Sequence, residues 1–421
     1  MTSKTSLPST APAMPWALLA AACLAMFAAA CGGTTRAPFL IDMARDLATS
    51  LPLIANLMAA TSIAWGAASL LAGAGADRWG RRPFLIGGPL ALAASMAGVA
   101  VSGSYLGVAI WVTAAGACGG AFTGVIMAEA SARTVDRQRG RALGWVMAGQ
   151  SLALLVGVPG AAWIGSFIGW RGVNLCVAAV ATAAALSLLV TTLRPAPGGR
   201  RAPGAPSPSY RAALSRPVMR LLAMGVAERI CYGLTAVFFA TFLQTTYGLS
   251  LAGVAVPLAT FAVGSILGTI LGGQLADRLP NRLRTFAGAM FGSALIALPL
   301  YAWTPSLAGT VALAFGYVFV NAVARPSLMA ALANVPDAVR GTVLGLNVTS
   351  ASFGWLGAAT FGGWMLAQYG FTGFGPLAAI VGVLGGLLAV AGGRPRREDA
   401  VEGPGRFAGA APPYGSEAAK Q

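Results

Sequence analysis

At 421 residues, with 57% hydrophobic and only 10% charged side chains, the chain carries more apolar surface than a water-soluble fold of that length can cover. Its 28 basic residues against 12 acidic ones give a formal charge of +16, yet they punctuate apolar runs instead of gathering on one face, which excludes a nucleic-acid partner and leaves a membrane protein. Histidine is absent and the five cysteines lie inside apolar runs with no CxxC spacing, so no metal site, cofactor or enzyme chemistry is expected.

Residues 1–13 are polar and proline-bearing and read as a disordered cytoplasmic start. The first apolar run, Met14 to about Ala37, is long enough to cross a bilayer and is read as a retained span, not a cleaved leader. Eleven more runs follow at about 51–75, 83–101, 106–132, 140–167, 172–193, 217–246, 250–276, 284–303, 306–333, 340–368 and 373–392. With the first they predict an all-α integral membrane protein of twelve transmembrane helices.

The basic residues alternate from loop to loop. One set of loops holds Arg78, Arg81, Arg82, Arg133, Arg137, Arg139 and Arg141, six arginines from Arg194 to Arg220, and then Arg278, Arg282, Arg284 and Arg340. The other set holds only Arg36, Arg45 and Arg171. By the positive-inside rule the rich side is cytoplasmic and both termini are inside, as expected for a multi-pass protein of a bacterial-type inner membrane. A proline-, glycine- and arginine-rich stretch at 194–216 reads as a cytoplasmic linker, dividing a first six-helix half, 14–193, from a second, 217–392. The tail, 393–421, has the linker's composition and is expected to be disordered.

The two halves repeat. GAGADRWGRRPFL at 73–85 returns in weaker form as GGQLADRLPNRL at 272–283, with Asp77 and Asp277 spaced by 200 positions, and RGRALG at 139–144 returns as RGTVLG at 340–345, spaced by 201. Six-helix halves in the same orientation are related by an axis along the membrane normal, which places a substrate site near midplane between them.

These residues resemble the signature of the major facilitator superfamily of secondary transporters, and the resemblance runs from Trp16 to about Gly392. It implies a gating clasp made of Gly73, Asp77, Arg78, Gly80, Arg81 and Arg82, joined by Glu129 near the end of the fourth span, with Asp277 and Arg278 in the second copy. In this reading Gly73 lets the second span approach a neighbour closely and Gly80 permits a tight turn. Asp77 meets a neighbouring helix end or arginine, and Glu129 relays charge with Arg81. The second copy replaces Gly80 by Pro280 and the arginine pair by Asn281 and Arg282, so the clasp is asymmetric.

The fifth span, GQSLALLVGVPGAAWIGSFIGWR at 149–171, offers Gly149 and Gly157 for close helix packing and Pro159 to interrupt its hydrogen-bond ladder. It resembles the fifth-helix motif of drug, sugar and metabolite efflux antiporters. The fourth span departs from that branch, with Val112 and Thr113 where those exporters carry an arginine ahead of a glycine.

Charges inside the second half are the candidates for chemistry. Glu228 and Arg229 in the seventh span and Arg325 in the tenth are about 11 and 8 residues from the arginine-rich face, so Glu228 and Arg325 lie roughly 16 and 12 Å deep and can meet. An unpaired charge at that depth costs several kcal/mol, so these groups face inward and find partners. Asn321, one turn from Arg325, joins them, with Tyr232 and Gln150 as further cavity candidates. Either the group binds substrate or protons, or it is an ion pair that locks two helices together. Arg36, ending the first span, reads as an interfacial anchor or as a group that meets an anionic substrate at the outer mouth.

The function expected is secondary active transport of a small solute by alternating access, as proton-coupled efflux of drugs, sugars or metabolites by a monomer whose partners are the solute, protons and the bilayer. An organic-anion importer using Arg325, or a transport-dead membrane sensor, is the alternative.

Overall fold

The computed structural model describes residues 14–135, 138–193, 214–279, 281–304, 306–335 and 337–391. The expected N-terminal start, most of the linker and the tail lie outside them. Every described element is helical, because backbone N–H and C=O groups with no water to bond must pair within their own segment. In chain order the helices are α1 (Trp16–Thr34), a one-turn 3-10 segment (Ala37–Phe39), α2 (Leu40–Asp46), α3 (Leu51–Trp79), α4 (Arg82–Val101), α5 (Tyr105–Ala132) and α6 (Arg139–Leu152). A π-helical turn (Ala153–Gly157) leads into α7 (Val158–Thr191). The second half holds α8 (Arg216–Tyr247), α9 (Ala255–Arg278), α10 (Arg282–Ala302), α11 (Leu307–Ala333), α12 (Asp337–Tyr369) and α13 (Phe374–Ala391).

Local chemistry sets several boundaries. The Ser104 hydroxyl accepts the Gly107 N–H to cap α5, and Ser306 accepts that of Gly309 to cap α11 at the matching place in the other half. Proline occupies the first turn of α3, α4 and α8, where its missing N–H costs nothing.

Ten described helical stretches are long and apolar enough to cross a bilayer, and two of them are far too long for one crossing. Arg139–Thr191 has 53 residues and Gly345–Ala391 has 47, about 80 and 70 Å of helix against an apolar thickness of about 30 Å. Each contains a break, at Gly169 with φ +69° and at the 3-10 turn Gly370–Gly373. Cut there, the ten stretches become twelve, consistent with the twelve apolar runs.

The packing is duplicated. Contacts of α3 with α5, α4 with α5, α4 with α7 and α1 with α6 are matched by α9 with α11, α10 with α11, α10 with α13 and α8 with α12. The halves join along α3 with α12 and α7 with α9. In its apolar central stretch 78% of the residues of α8 are buried, against 39–56% in the corresponding stretches of the other spans, so it runs through the interior. Residues 149–157 lie flat on α1: a Cβ on Gly149 would run into the Cys23 carbonyl, and one on Gly157 would come within 2.7 Å of the Cys31 sulfur. Just beyond, the Val158 N–H reaches back five residues to the Ala153 carbonyl, which makes the π turn immediately ahead of Pro159.

Candidate transport site and gating contacts

Glu228 and Tyr232 stand one turn apart on α8, the most enclosed helix, and so share a face. The Glu228 carboxylate is 1% exposed and needs donors. Arg325 of α11 supplies two to one oxygen, Nη2 at 2.9 Å and Nε at 3.3 Å, and Arg229 Nε lies 3.4 Å from the other. One carboxylate is therefore held between two guanidinium groups. The Arg325 guanidinium also lies 5.0 Å from the centre of the Tyr232 ring, a cation–π contact that orients it.

The Tyr232 ring meets Trp355 edge-on and tilts against Phe261, both with centroids 5.8 Å away. These three rings line a cavity between the halves, and Thr34, Met58, Leu154 and Val158 form its wall in the first half. It holds about 30 Å³ of space open to a water-sized molecule, far less than a drug-sized ligand occupies. Beyond the ion cluster the Tyr317 hydroxyl donates to the Cys231 carbonyl at 2.7 Å and Tyr301 donates to the Thr235 hydroxyl at 3.1 Å, fixing α11 and α10 to α8.

Other members of the expected set lie elsewhere. Asn321 is fully buried, but its amide turns to the Met290 sulfur of α10 at 4.0 Å instead of joining Glu228. Four residues advance a helix about 40° past a full turn, enough to aim it at a different neighbour. Gln150 is half-buried on α6 in the first half. Outside that set, Gln244 at the end of α8 donates to the Pro38 carbonyl at 2.9 Å and so bridges the halves at the arginine-poor face.

Arg36 is not an interfacial anchor with its head in water. It is 2% exposed, because the apolar stretch that begins at Trp16 continues through the 3-10 turn and α2 to Asp46. Its Nη1 donates to the Gly32 carbonyl at 2.7 Å, and its Nη2 to the Thr61 hydroxyl at 2.8 Å and the Gly33 carbonyl at 3.4 Å.

At the arginine-rich face Glu129 is 4% exposed, and accepts from Arg133 Nε at 2.7 Å and from Arg81 Nη1 at 3.3 Å; Arg81 also reaches the Ala128 carbonyl at 3.4 Å. Gly80 takes φ +86°, a conformation that ends α3 and that a side chain would strain. Arg82 is exposed, as is Arg78 beside the Trp79 ring, while the side chain of Asp77 lies outside the described residues. Gly73 is not the point of close approach: a Cβ there would meet nothing within 4 Å, because its face of α3 is exposed. The tight glycine is Gly75, whose Cβ would lie 2.7 Å from the Phe84 ring.

In the second copy Arg282, not Asn281, takes the place of Arg81, donating to the Ala330 carbonyl and the Ala276 carbonyl, each at 3.2 Å. Arg282 thus stands 201 positions after Arg81, while its carbonyl partner Ala330 stands 202 after Ala128, so the residue following that carbonyl is Ala331 where the first half has Glu129. Asp277 and Arg278 are exposed.

One cluster escaped sequence reasoning. Asp46, at the end of α2, accepts from Trp170 Nε1 at 2.9 Å and Arg171 Nη1 at 2.8 Å, while Arg171 also reaches the Ser102 carbonyl at 3.4 Å and lies 4.2 Å over the Trp170 ring. The break at Gly169 turns Trp170 and Arg171 toward that aspartate. The GWR run was visible in the sequence, but nothing local pointed to a partner 125 positions away.

A family model for the Major Facilitator Superfamily matches residues 22–355 and 221–415. The chain belongs to the Major Facilitator Superfamily. It is a membrane transporter and not an enzyme. Among curated relatives it is 31% identical over 301 residues, 69% of this chain and 74% of the other, to a chloramphenicol resistance protein of Streptomyces lividans. It is 26% identical to the inner membrane transport protein YdhP of Escherichia coli strain K12, covering 66% of this chain and 71% of that one. A solved structure, the D-xylose-proton symporter, superposes with a TM-score of 0.71 over 90% of this chain and 97% of that one at 16% identity, and shares the superfamily fold.

Proposed function

We propose that this superfamily member exports a small drug, sugar or metabolite by alternating access, exchanging it for protons across a bacterial inner membrane. The observation that carries this reading is the placement of the Glu228, Arg229 and Arg325 cluster. It is buried in the second half and joined through Tyr232 to a cavity that both halves line. A carboxylate there can exchange partners when the halves rock, as a coupling group must. The resemblance to a chloramphenicol resistance protein supports export. The arginine-rich face is cytoplasmic, residues 14–193 and 217–392 are the two moving bodies, and the transporter works as a monomer. Glu129, bound by Arg81 and Arg133, belongs to the inner gate.

The test is flux into proteoliposomes under an imposed pH gradient, with chloramphenicol as the first probe and a panel of sugars and purines after it. Acid-inside liposomes driving uptake is the expected result, since protons leaving the lumen exchange for solute. Uptake driven only by an alkaline interior establishes symport and overturns export. Import of an organic anion drawn by Arg325 is the second reading, favoured by the two arginines on a single glutamate. The same gradients separate it from export.

A further inference from the structure

Around the central cavity three guanidinium groups, Arg36, Arg229 and Arg325, accompany one carboxylate, Glu228. Arg229 and Arg325 share that carboxylate. Arg36 has none: among the described residues no acid touches it, and its Nε has no hydrogen-bond partner. Three uncharged oxygens from Gly32, Gly33 and Thr61 hold its other nitrogens. The two carbonyls lie at the negative end of α1 and offset part of the charge, but a helix end carries only about half an elementary charge. A buried cation therefore keeps an uncompensated remainder, which is costly in an apolar medium unless an anion visits it.

The neighbourhood shows where the anion would come from. Arg36 Nη2 lies 3.9 Å from the Met58 sulfur, and Met58 also lines the cavity, as do Thr34 and Ala37 on either side of Arg36 in the chain. Met58, unbranched and flexible, therefore touches both the cation and the space between the halves. Across that space stands Tyr232 with Arg325 on its ring.

We propose that the solute this transporter carries bears a carboxylate, and that Arg36 is its contact in the first half, uncovered when Met58 moves aside. Arg325 is the contact in the second half. The proposal rests on the reading of the chain as a transporter with its site between the halves, and adds the charge class of the cargo. Guanidinium groups contributed from both halves let the anion draw them together, a differential interaction of the kind alternating access requires.

The experiment uses purified full-length protein and matched probes, benzoate against benzamide and phenylacetate against phenylacetamide, with chloride as the ionic control. Binding is read by thermal shift and by tryptophan fluorescence, since Trp355 lines the cavity. The acids should bind at least about tenfold tighter than their amides, the worth of one charge-assisted contact. Arg36→Gln should lose that preference and Arg36→Lys should keep it. Met58→Glu places an internal carboxylate beside Arg36, so it should raise the melting temperature and abolish acid binding, while the uncharged Met58→Gln keeps it. Equal binding of acids and amides, or no binding of either acid, overturns the proposal. So does a Met58→Glu protein that melts higher and still binds acids as the wild type does, since Arg36 would then only cap α1. If the acids do not bind but a pH gradient drives chloramphenicol flux, transport stands and the charge class falls. If no gradient moves chloramphenicol or either acid, the reading of proton-driven transport itself fails.

Discussion

Replacing Glu228 by glutamine removes the one carboxylate that Arg325 and Arg229 share, while keeping its size. At 2.9 Å and an effective dielectric of about 20, the gross attraction between Glu228 and Arg325 is about 6 kcal/mol, most of it offset by the desolvation of both groups. Breaking such a pair from one side leaves a buried charge without a partner and is expected to destabilise by about 3–5 kcal/mol. Glu228→Gln alone should therefore fall in that range. The double variant Glu228→Gln, Arg325→Gln should cost less than the sum of the two singles, because it leaves neither of these charges stranded. The assay is a double-mutant cycle by equilibrium unfolding in mixed micelles, with pH-driven flux measured on the same four proteins. A coupling energy within about 0.5 kcal/mol of zero would refute the claim that the pair is bonded inside the protein. Loss of pH-dependent flux in Glu228→Gln, with binding retained, is the outcome expected of a coupling group; unaltered pH dependence would confine Glu228 to joining α8 and α11.

Glu129→Gln removes the carboxylate between Arg81 and Arg133, and should slow transport at least about tenfold with folding and insertion intact, as measured by counterflow and size-exclusion profile. Gly149→Val forces a side chain into the Cys23 carbonyl and should destabilise by about 1–3 kcal/mol, or by more where α1 cannot shift, read as a fall in melting temperature. Gly73→Ala, where a Cβ meets nothing, should leave both stability and flux unchanged, whereas Gly75→Leu should disturb the packing of α3 on Phe84. Asp46→Asn should cost no more than about 1 kcal/mol, because both partners of its ion pair are about 40% exposed, and should show as a change in Trp170 emission.

Much of the architecture was legible because it follows from period and solvent. Apolar runs of bilayer length, arginines in alternate loops and two motifs spaced by about 200 residues are enough for a duplicated helical membrane protein. Depth counting along two spans brought Glu228 and Arg325 to similar levels, and they lie 2.9 Å apart. What stayed hidden depends on helix rotation and on partners remote in the chain. Asn321 and Arg325 share a span and a turn, yet face different helices. Gly73 and Gly75 differ by two residues, about 200° of helix, so one faces open space and the other an aromatic ring. The sequence offers Arg36 as an anchor or as an outer-mouth contact for an anion, both at the water's edge, because charges follow it closely; those charges, Asp42, Arg45 and Asp46, sit on a short turn-linked helix that continues the apolar stretch.

The enclosure of α8 bears on how the protein is made. A segment carrying adjacent Glu228 and Arg229 is a poor candidate to settle in lipid alone, since each charge adds about 2.5–3.5 kcal/mol at a span centre on insertion scales. Its stabilising partner, Arg325, lies 97 residues further along. At ribosomal rates of 5–20 residues per second, α8 waits about 5–20 s before α11 exists to give the Glu228 carboxylate the two donors of Arg325. During that interval α8 must shelter against the completed first half, at the insertion machinery or in contact with a chaperone. Substitutions at Arg325 should then lower the amount of protein that reaches the membrane, separately from any effect on what the finished molecule transports.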